Sequence, residues 1–331
     1  MQVLIYGAGS TGCYLGAQLS ISGFAVSLLL RKRVENELRK AGGITLSNYL
    51  GKTHKAVAFN TLTQLNASEQ NFDLCLVTLK CHHLNEPQVV RDLIKLSQEG
   101  CLLIFMQNGL GSLENLKDKL QRGTYFSGIT SYNVVSLGEG KFHQGTEGAA
   151  QLPRHEKTEA IESALLKHNF AVELNGDMQA IINGKLLLNL NNALNALSGL
   201  SLKQQLETRK WRRVLAAAMA EWLNICKAQT QSLKISAPIK PKWLPSMLRL
   251  PTPIFKIVAN KMLTIDPQAR SSMWEDIQNG RKTEIEFLNA EVARLGQKLS
   301  IATPVNLAIS EQLQSLEAGE EPNNKTLFRL I

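Results

Sequence analysis

The sequence has few cysteines and no long apolar run, and each of these shortages argues against a class of protein. Its 331 residues include five cysteines, none in a CxxC spacing. That argues against a disulfide framework and a thiolate zinc site, so we expect a reducing compartment and no metal. No apolar run approaches the roughly 20 residues that cross a bilayer, which excludes stable membrane insertion. Strand-like residues begin beside Met1, and we therefore expect no signal peptide and a cytoplasmic location.

Positive charge is in excess but is unevenly placed. The chain carries 37 Lys and Arg against 28 Asp and Glu, a net charge of +9. Residues 203–261 hold 12 of the basic residues and only two acidic ones. No zinc-finger, RNP or basic-zipper pattern accompanies them, so nucleic-acid binding is not expected. A solvated helix face with a basic loop is the plain interpretation.

One part of this basic region also contains five prolines, within residues 235–265. Prolines interrupt any long helix there. We interpret 235–265 as a Pro-rich basic insertion that covers an interface or a cleft. Peripheral attachment to an anionic membrane through this segment is an alternative, and it predicts salt-sensitive vesicle binding.

The periodicity of apolar residues changes once along the chain. Short β-rich runs alternate with helix-length stretches, which is typical of a parallel, doubly wound sheet; the runs are 2–6, 25–30, 56–59, 74–78 and 102–106. Runs at 124–136 and 142–151 are predicted to extend this sheet, and 171–174 is predicted as a last strand. Helical periodicity then takes over, at 182–197, 211–228, 270–295 and 305–316. The sequence therefore predicts an α/β Rossmann dinucleotide-binding domain at 1–176 and an all-helical domain at 177–331.

A glycine-rich turn follows the first predicted strand and opens a helix. Gly7, Gly9 and Gly12 match the GxGxxG fingerprint, with Ala8, Ser10 and Thr11 between them. The glycines permit a tight turn, close approach of a pyrophosphate and close packing of helix on strand. The phosphate then meets the free N–H groups at the helix start. We predict that residues 7–12 bind a dinucleotide; a turn that serves packing alone is the alternative.

The end of the second strand discriminates between the two nicotinamide cofactors. An NAD site usually has Asp or Glu there, whereas this chain continues into Arg31, Lys32 and Arg33. A guanidinium binds a 2′-phosphate through paired charged hydrogen bonds, and a carboxylate would repel it. The sequence therefore predicts NADPH, with Arg31 as a contact, unless these basic residues only decorate a surface turn.

Several motifs, in order and at matching spacing, resemble the ketopantoate reductase (2-dehydropantoate 2-reductase) family over essentially the whole chain. They are GAGSTG at 7–12, VTLK at 77–80, QNGLG at 107–111, KLLLN at 185–189, SSMWEDIQNGRKTEIEFLN at 271–289 and TPVN at 303–306. The resemblance implies a Rossmann domain, a helical domain and an active site in the cleft between them. It also implies NADPH-dependent reduction of 2-dehydropantoate to pantoate, a step toward pantothenate and coenzyme A.

The same resemblance implies roles for individual residues. The family's catalytic lysine falls on Lys185 and its active-site glutamate on Glu284. Substrate-binding positions, and a lysine near the cofactor, fall on Asn108, Asn189, Ser272 and Lys80. By its chemistry, Asn108 can either donate a hydrogen bond to the substrate oxygen or hold the nicotinamide side of the cleft, so it is predicted as both a substrate-binding and a cofactor-binding residue.

These residue roles are also chemically reasonable when the family resemblance is set aside. Hydride delivery to a ketone leaves a developing alkoxide, which needs a proton and a nearby positive charge; Lys185 supplies both if its pKa suits the pH. Glu284 then positions the ammonium and binds a substrate hydroxyl, while Ser272 donates to the substrate carboxylate. Lys185 and Asn189 share one helix face because they are four residues apart. In a continuous helix Ser272 and Glu284 would lie about 120° apart, unless curvature or Gly280 brings them together.

The sequence also departs from the family pattern. Asn183 stands where the family often has tryptophan, and Ala269 and Ala193 stand where it often has asparagine. Loss of such hydrogen-bonding groups weakens discrimination for a substrate hydroxyl. Reduction of another 2-oxo acid therefore stays open, as does a dinucleotide-binding sensor without catalysis. A homodimer is compatible with the sequence, which leaves the oligomeric state open.

Overall fold

The chain forms two compact units in a computed structural model, which describes residues 1–65, 71–235, 239–260 and 268–331. One unit is Met1–Gln107 with Ser112–Met178, and the other is Asn108–Gly111 with Gln179–Ile331. Positions 236–238 and 261–265 of the predicted insertion lie outside the described residues.

The first unit contains the strands. In chain order they are β1 (Gln2–Tyr6), β2 (Ala25–Leu29), β3 (Ile44–Asn48), β4 (Thr53–Ala56), β5 (Phe59–Leu62), β6 (Leu74–Val77), β7 (Leu102–Phe105), β8 (Tyr125–Ser127), β9 (Ile129–Thr130), β10 (Val134–Gly138), β11 (Lys141–Gln144), β12 (Ala150–Pro153) and β13 (Val172–Asn175). The main sheet is entirely parallel, in the order β5-β2-β1-β6-β7-β8. Its central strands are buried and apolar, as expected when helices cover both faces.

Helices connect these strands. They are α1 (Ser10–Ile21), α2 (Lys32–Ala41), α3 (Pro87–Gln98) and α4 (Glu156–Lys167). The reversal of strand order at β1 and β6 places the first turn and the end of β6 at the carboxyl edge of the sheet, where doubly wound folds bind ligands. The predicted parallel α/β class is confirmed.

Two strand predictions were wrong in detail. The run 56–59 spans the break between β4 and β5, and Val57 in that break is 67% exposed. The runs 124–136 and 142–151 add only β8 to the main sheet. Their other strands form separate sheets, ordered β10-β11-β3-β4 and β13-β12-β9. Local apolar periodicity identifies strands but does not specify their partners, because pairing is set by tertiary contacts.

The second unit is helical, which confirms the other half of the predicted class. Its described helices are α5 (Met178–Asn189), α6 (Asn191–Ser198), α7 (Leu202–Glu207), α8 (Arg209–Ala228), α9 (Leu244–Arg249), α10 (Thr252–Val258), α11 (Ser272–Gln278), α12 (Asn289–Lys298), α13 (Pro304–Glu317) and α14 (Asn324–Arg329). The long helix α8 contributes Trp222 and Leu215 to a core that also contains Leu187 of α5 and Ile309 of α13. Within the described residues, no helix has the length and apolar character to span a bilayer.

The predicted helix at 270–295 was also wrong. Helix α11 ends at Gln278, and Gly280 takes φ +59°, a left-handed conformation that glycine adopts without strain. A short 3₁₀ turn, Ile285–Phe287, precedes α12. Ser272 and Glu284 therefore do not share a helix, and the angle expected from a continuous helix does not apply. The 182–197 run likewise divides into α5 and α6, but Lys185 and Asn189 both lie in α5 as predicted.

Candidate functional site

The glycine turn of the first unit is built by contacts that exclude side chains. Gly7 has φ +83°, and a Cβ there would overlap the side chain of Leu79. A Cβ on Gly12 would overlap the Thr78 hydroxyl, which donates to the Gly7 carbonyl oxygen at 3.0 Å. The VTLK motif thus packs directly on the GAGSTG turn, and both glycines are needed for that packing.

Gly9 has a different environment. It precedes the first turn of α1, and the nearest atom to a Cβ there would be the Gly7 oxygen at 4.0 Å. Within the described chain no side chain caps this helix start and no acidic residue lies in its first turn. Open space and unsatisfied N–H groups at a helix N-terminus suit an anionic phosphate, so the turn fits the pyrophosphate of a dinucleotide. Ser10 and Thr11 are partly exposed beside it.

Arg31 lies exposed between β2 and α2, as the sequence suggested. Its guanidinium is 3.4 Å from Nε2 of His83, whose Nδ1 contacts Glu86. The nearest carboxylate along the chain, Glu35, accepts from Lys32 at 2.6 Å and from Thr61 at 3.1 Å. The hydrogen bond from Lys32 lowers the pKa of Glu35. The acidic group near this strand end is therefore engaged by Lys32 and Thr61, while Arg31 is exposed.

The ends of β6 and β7 are joined by hydrogen bonds from Gln107, a residue to which the sequence analysis assigned no role. Gln107 is buried, and its Nε2 donates to the carbonyl oxygens of Val77 and Leu79, both at 2.9 Å. Gln107 is the first residue of the QNGLG motif, which was the available signal, but only the packed sheet shows that its amide joins the two strand ends. Lys80 follows Leu79, partly exposed, just before a 3₁₀ turn.

In the second unit, two of the predicted residues, Asn108 and Lys185, interact with the carboxylate of a third, Glu284. Asn108 donates from Nδ2 to Oε2 of Glu284 at 3.3 Å. Lys185, partly buried on α5, has its pKa lowered to about 8 by burial, while the negative charge of Glu284 opposes that shift. Lys185 and Glu284 therefore interact electrostatically, and burial is the stronger effect.

The loop that carries Asn108 is positioned by the 3₁₀ turn and by α12. The Leu110 N–H donates to the Phe287 carbonyl oxygen at 3.0 Å. A Cβ on Gly109, which has φ +79°, would overlap that oxygen. Gly111 approaches the carboxylate of Glu291, so that a Cβ there would lie 3.2 Å from it. The QNGLG glycines thus allow the close backbone contact that brings Asn108 to Glu284.

The basic residues beside Glu284 pair with other carboxylates. Lys282 contacts Glu286 at 3.3 Å, and Arg281 contacts Asp276 at 3.0 Å. Both of these ion pairs use carboxylates other than that of Glu284.

In the part of the chain that the structure describes, Ser272 and Asn189 are not hydrogen-bonded to the group formed by Asn108, Lys185 and Glu284. Ser272 is the exposed first residue of α11, and Asn189 is the partly buried last residue of α5. Within the described residues neither side chain makes a hydrogen bond or ion pair. Their substrate-binding roles stay predictions.

The neighbouring Ser271 is structural instead. It caps α11 by accepting from the Trp274 N–H at 3.2 Å, and it donates to the Asn192 carbonyl oxygen at 2.8 Å. The fully buried Asn195 accepts from the Ser271 N–H at 2.8 Å and donates to Gln205 at 3.1 Å. The buried side chain of Asn195 thus joins α6 to the start of α11.

The chain segment after α8 packs against the helix that carries Lys185. Asn183 is buried and donates to Gln231 and to the Ser232 carbonyl oxygen, each at 3.1 Å. The Lys234 N–H donates to the Ala180 carbonyl oxygen at 2.8 Å. A Cβ on Gly184 would overlap the carbonyl oxygen of Lys234. Asn183, which stands where the family often has tryptophan, therefore has a structural role. Its side-chain amide holds residues 231–235, which we call the strap, on α5.

Comparisons with known proteins agree with this fold and these motifs. The family model described as ketopantoate reductase PanE/ApbA matches residues 3–157. The model of that family's C-terminal domain matches residues 177–317.

Individual relatives are similar along nearly their whole length. An uncharacterized oxidoreductase of Bacillus subtilis, YkpB, is 24% identical over 96% of this chain and 99% of its own. A 2-dehydropantoate 2-reductase of Lactococcus lactis is 22% identical over 96% of this chain and 98% of its own. A solved ternary structure of D-mandelate dehydrogenase with NADH and anilino(oxo)acetate has a TM-score of 0.77 at 20% identity, covering 96% of this chain and 99% of that one. With family models matching both parts, the chain belongs to the ketopantoate reductase PanE/ApbA family.

Proposed function

We propose that this protein is a cytoplasmic NADPH-dependent reductase that converts 2-dehydropantoate to pantoate. The observation that carries the proposal is the group formed by Lys185, Glu284 and Asn108, in which burial lowers the pKa of the lysine to about 8. A lysine with that pKa is largely protonated at neutral pH and gives up its proton more readily than an exposed one. Relatives named 2-dehydropantoate 2-reductase support the choice of substrate.

The side chains divide the work as follows. NADPH, when bound at residues 7–12, would supply the hydride. Lys185 donates a proton to the substrate oxygen on which negative charge develops. Glu284 holds the ammonium and accepts from the amide of Asn108, which limits the orientations that both can take. Asn189 and Ser272 bind the substrate by hydrogen bonds, with Ser272 donating to its carboxylate.

The cofactor proposal rests on the first unit. Residues 7–12 receive the pyrophosphate at the start of α1, where the helix lacks a side-chain cap within the described chain. Arg31 binds the 2′-phosphate, and Lys80 lies near the cofactor after the strand end that packs on Gly7. The charged fork of an arginine matches a phosphate group.

Two residues favour a substrate other than 2-dehydropantoate. Ala193 is buried in the core, and Asn183 is engaged with the strap, so neither supplies the polar group that the family often has at these positions. The relative named D-mandelate dehydrogenase shares the fold and was solved with anilino(oxo)acetate. Reduction of a different 2-oxo acid by the same lysine is therefore the second candidate.

The deciding experiment is steady-state oxidation of NADPH with 2-dehydropantoate and with a panel of branched and aromatic 2-oxo acids. The proposal expects the highest kcat/KM for 2-dehydropantoate and a loss of about 10²–10⁴ in Lys185→Ala. Preference for another acid would replace the substrate but keep the mechanism. No turnover of any 2-oxo acid, with intact NADPH binding, would make the protein a dinucleotide-binding sensor.

A further inference from the structure

Residues 239–260, the described part of the basic, proline-rich segment that the proposed reaction does not use, form a layer on α8. Helices α9 and α10 bury Leu244, Leu248 and Phe255 in the core of the second unit. Both helices begin with proline in their first turn, where its missing N–H is tolerated. The prolines therefore set the helix starts, and the segment has an inner apolar face that is well packed.

A buried arginine fixes this layer in place. Arg212 of α8 is fully buried, and its guanidinium donates to the carbonyl oxygens of Leu248 at 3.1 Å and Leu250 at 2.9 Å. It also bonds Thr252 at 3.2 Å and lies 4.2 Å from the ring centroid of Phe255. One of the basic residues of this region is thus structural, because its guanidinium holds the layer on α8.

The outer surface carries an apolar stripe. Ile254, Ile257 and Val258 are 48%, 79% and 59% exposed. Their i, i+3, i+4 spacing places them within an arc of about 100° on α10. Such a stripe facing water is unusual for a helix whose opposite face is already packed.

The segment that carries the stripe is also basic. The described residues 239–260 contain Lys240, Lys242, Arg249 and Lys256 and no acidic residue. Lys256 contacts Glu207 at 3.2 Å, and Lys240 lies 5.6 Å from the ring of Trp243, which is itself 55% exposed. Exposed aliphatic side chains, a tryptophan and basic residues on one short segment are the composition of a membrane-surface anchor.

We propose that this layer docks on an anionic lipid surface. The stripe of Ile254, Ile257 and Val258 enters the headgroup region, and the lysines and Arg249 contact lipid phosphates. A symmetric contact with a second copy would place like charges opposite one another, whereas an anionic bilayer complements them. The attachment is peripheral and does not depend on the proposed reaction.

Co-sedimentation of the full chain with vesicles tests this. We expect binding to phosphatidylcholine mixed with phosphatidylglycerol in a two-to-one ratio, and little binding to phosphatidylcholine alone. Binding should weaken at least tenfold as NaCl rises from about 0.05 M to about 0.5 M. Ile257→Glu should abolish it, and Lys240→Ala with Lys242→Ala should weaken it at least about tenfold.

Leu307→Glu is the matched control, because Leu307 is also an exposed aliphatic residue, 49% accessible, on helix α13 of the same unit. It should bind anionic vesicles like the unmodified chain. Full binding by Ile257→Glu, or equal binding to neutral vesicles, overturns the proposal. So does absence of vesicle binding together with self-association that Ile257→Glu removes in sedimentation velocity, since the stripe would then be an interface between copies. These readouts need no turnover, so they can fail while the reductase activity stands.

Discussion

Lys185 is the residue whose environment most directly controls the proposed reaction. Burial lowers its pKa to about 8, and Glu284 moderates that shift. Below this pH the folded protein holds the ammonium that reduction needs, and above it the neutral amine predominates. The rates of ketone reduction and of hydroxy-acid oxidation should therefore depend on pH in opposite ways, because each needs a different protonation state of Lys185.

For ketone reduction, we predict that kcat is constant below about pH 7 and falls about tenfold per unit above pH 8, because the proton donor is lost. Oxidation of the hydroxy acid should show the opposite limb and rise through the same pH. Steady-state rates in both directions from pH 5.5 to 10 check this. Coincident, same-direction profiles would contradict the assignment of Lys185 as proton donor.

Glu284→Gln separates the electrostatic role of the glutamate from its contact with Asn108. The amide can still meet the Asn108 side chain, but it no longer favours the ammonium, so the pKa of Lys185 should fall further. We predict that the descending limb for reduction moves about one unit toward lower pH. Glu286→Gln, on the exposed carboxylate that pairs with Lys282, is the control and should leave the limb in place. An unshifted limb in Glu284→Gln would mean that the two groups are not coupled.

The same pKa has a consequence for stability. In the unfolded chain a lysine titrates near 10.4, above the value of about 8 in the folded state. Between these two pH values the unfolded state binds more protons, so the free energy of unfolding should rise with pH there. Below pH 8 the penalty of the buried charge is complete, and Lys185→Met should be more stable than the unmodified protein at pH 7. Urea denaturation at pH 7 and pH 9.5 tests both statements, and a gain for Lys185→Met only at pH 9.5 would reverse the sign.

Among the elements, α5 matters most because it carries Lys185 and is held by the strap at residues 231–235. The contacts run through the backbone at Gly184 and through the buried amide of Asn183. Asn183 also accepts, at its carbonyl oxygen, from Nε1 of Trp222 at 3.0 Å. The helix is thereby held from two sides within one turn of the lysine.

Gly184→Ala should disturb this arrangement. The new methyl group would overlap the Lys234 carbonyl oxygen, so that the strap must shift, and we predict a loss of about 1–3 kcal/mol in stability. Because the adjacent Lys185 moves with the helix, kcat should fall more than KM rises. Gly176→Ala is the control, since nothing lies within 4 Å of a Cβ at that position. Equal denaturation midpoints for the two variants would show that the strap can adapt.

At the scale of the whole molecule, cofactor binding should add to the stability of the fold. A ligand that binds only the folded state stabilises it by about 2.7 kcal/mol at one hundred times its Kd. With Arg31 at the end of β2, we predict a larger rise in Tm with NADPH than with NADH at equal concentration. Arg31→Ala should lose the NADPH increment selectively, and Arg33→Ala, which changes another exposed arginine in the first turn of α2, should keep it. Equal weakening of both cofactors in Arg31→Ala would remove the basis for NADPH preference.

Patterns local in the sequence determined much of this protein. The GxGxxG turn, the buried parallel strands and the change to helical periodicity depend on side-chain size and polarity over a few residues, and these predictions of class were confirmed. The matching motifs also marked Lys185, Glu284 and Asn108 before their contacts were known.

Other features were decided only by tertiary structure. Whether β10 and β11 join the main sheet, and whether 270–295 is one helix, depends on partners distant in sequence, because pairing and packing override local propensity. Sequence patterns likewise did not predict that Arg212, Asn183 and Asn195 are buried hydrogen-bonding residues. Each looks like an ordinary polar side chain until the groups that bond it are brought around it, since a buried polar group is stable only where the fold supplies its partners.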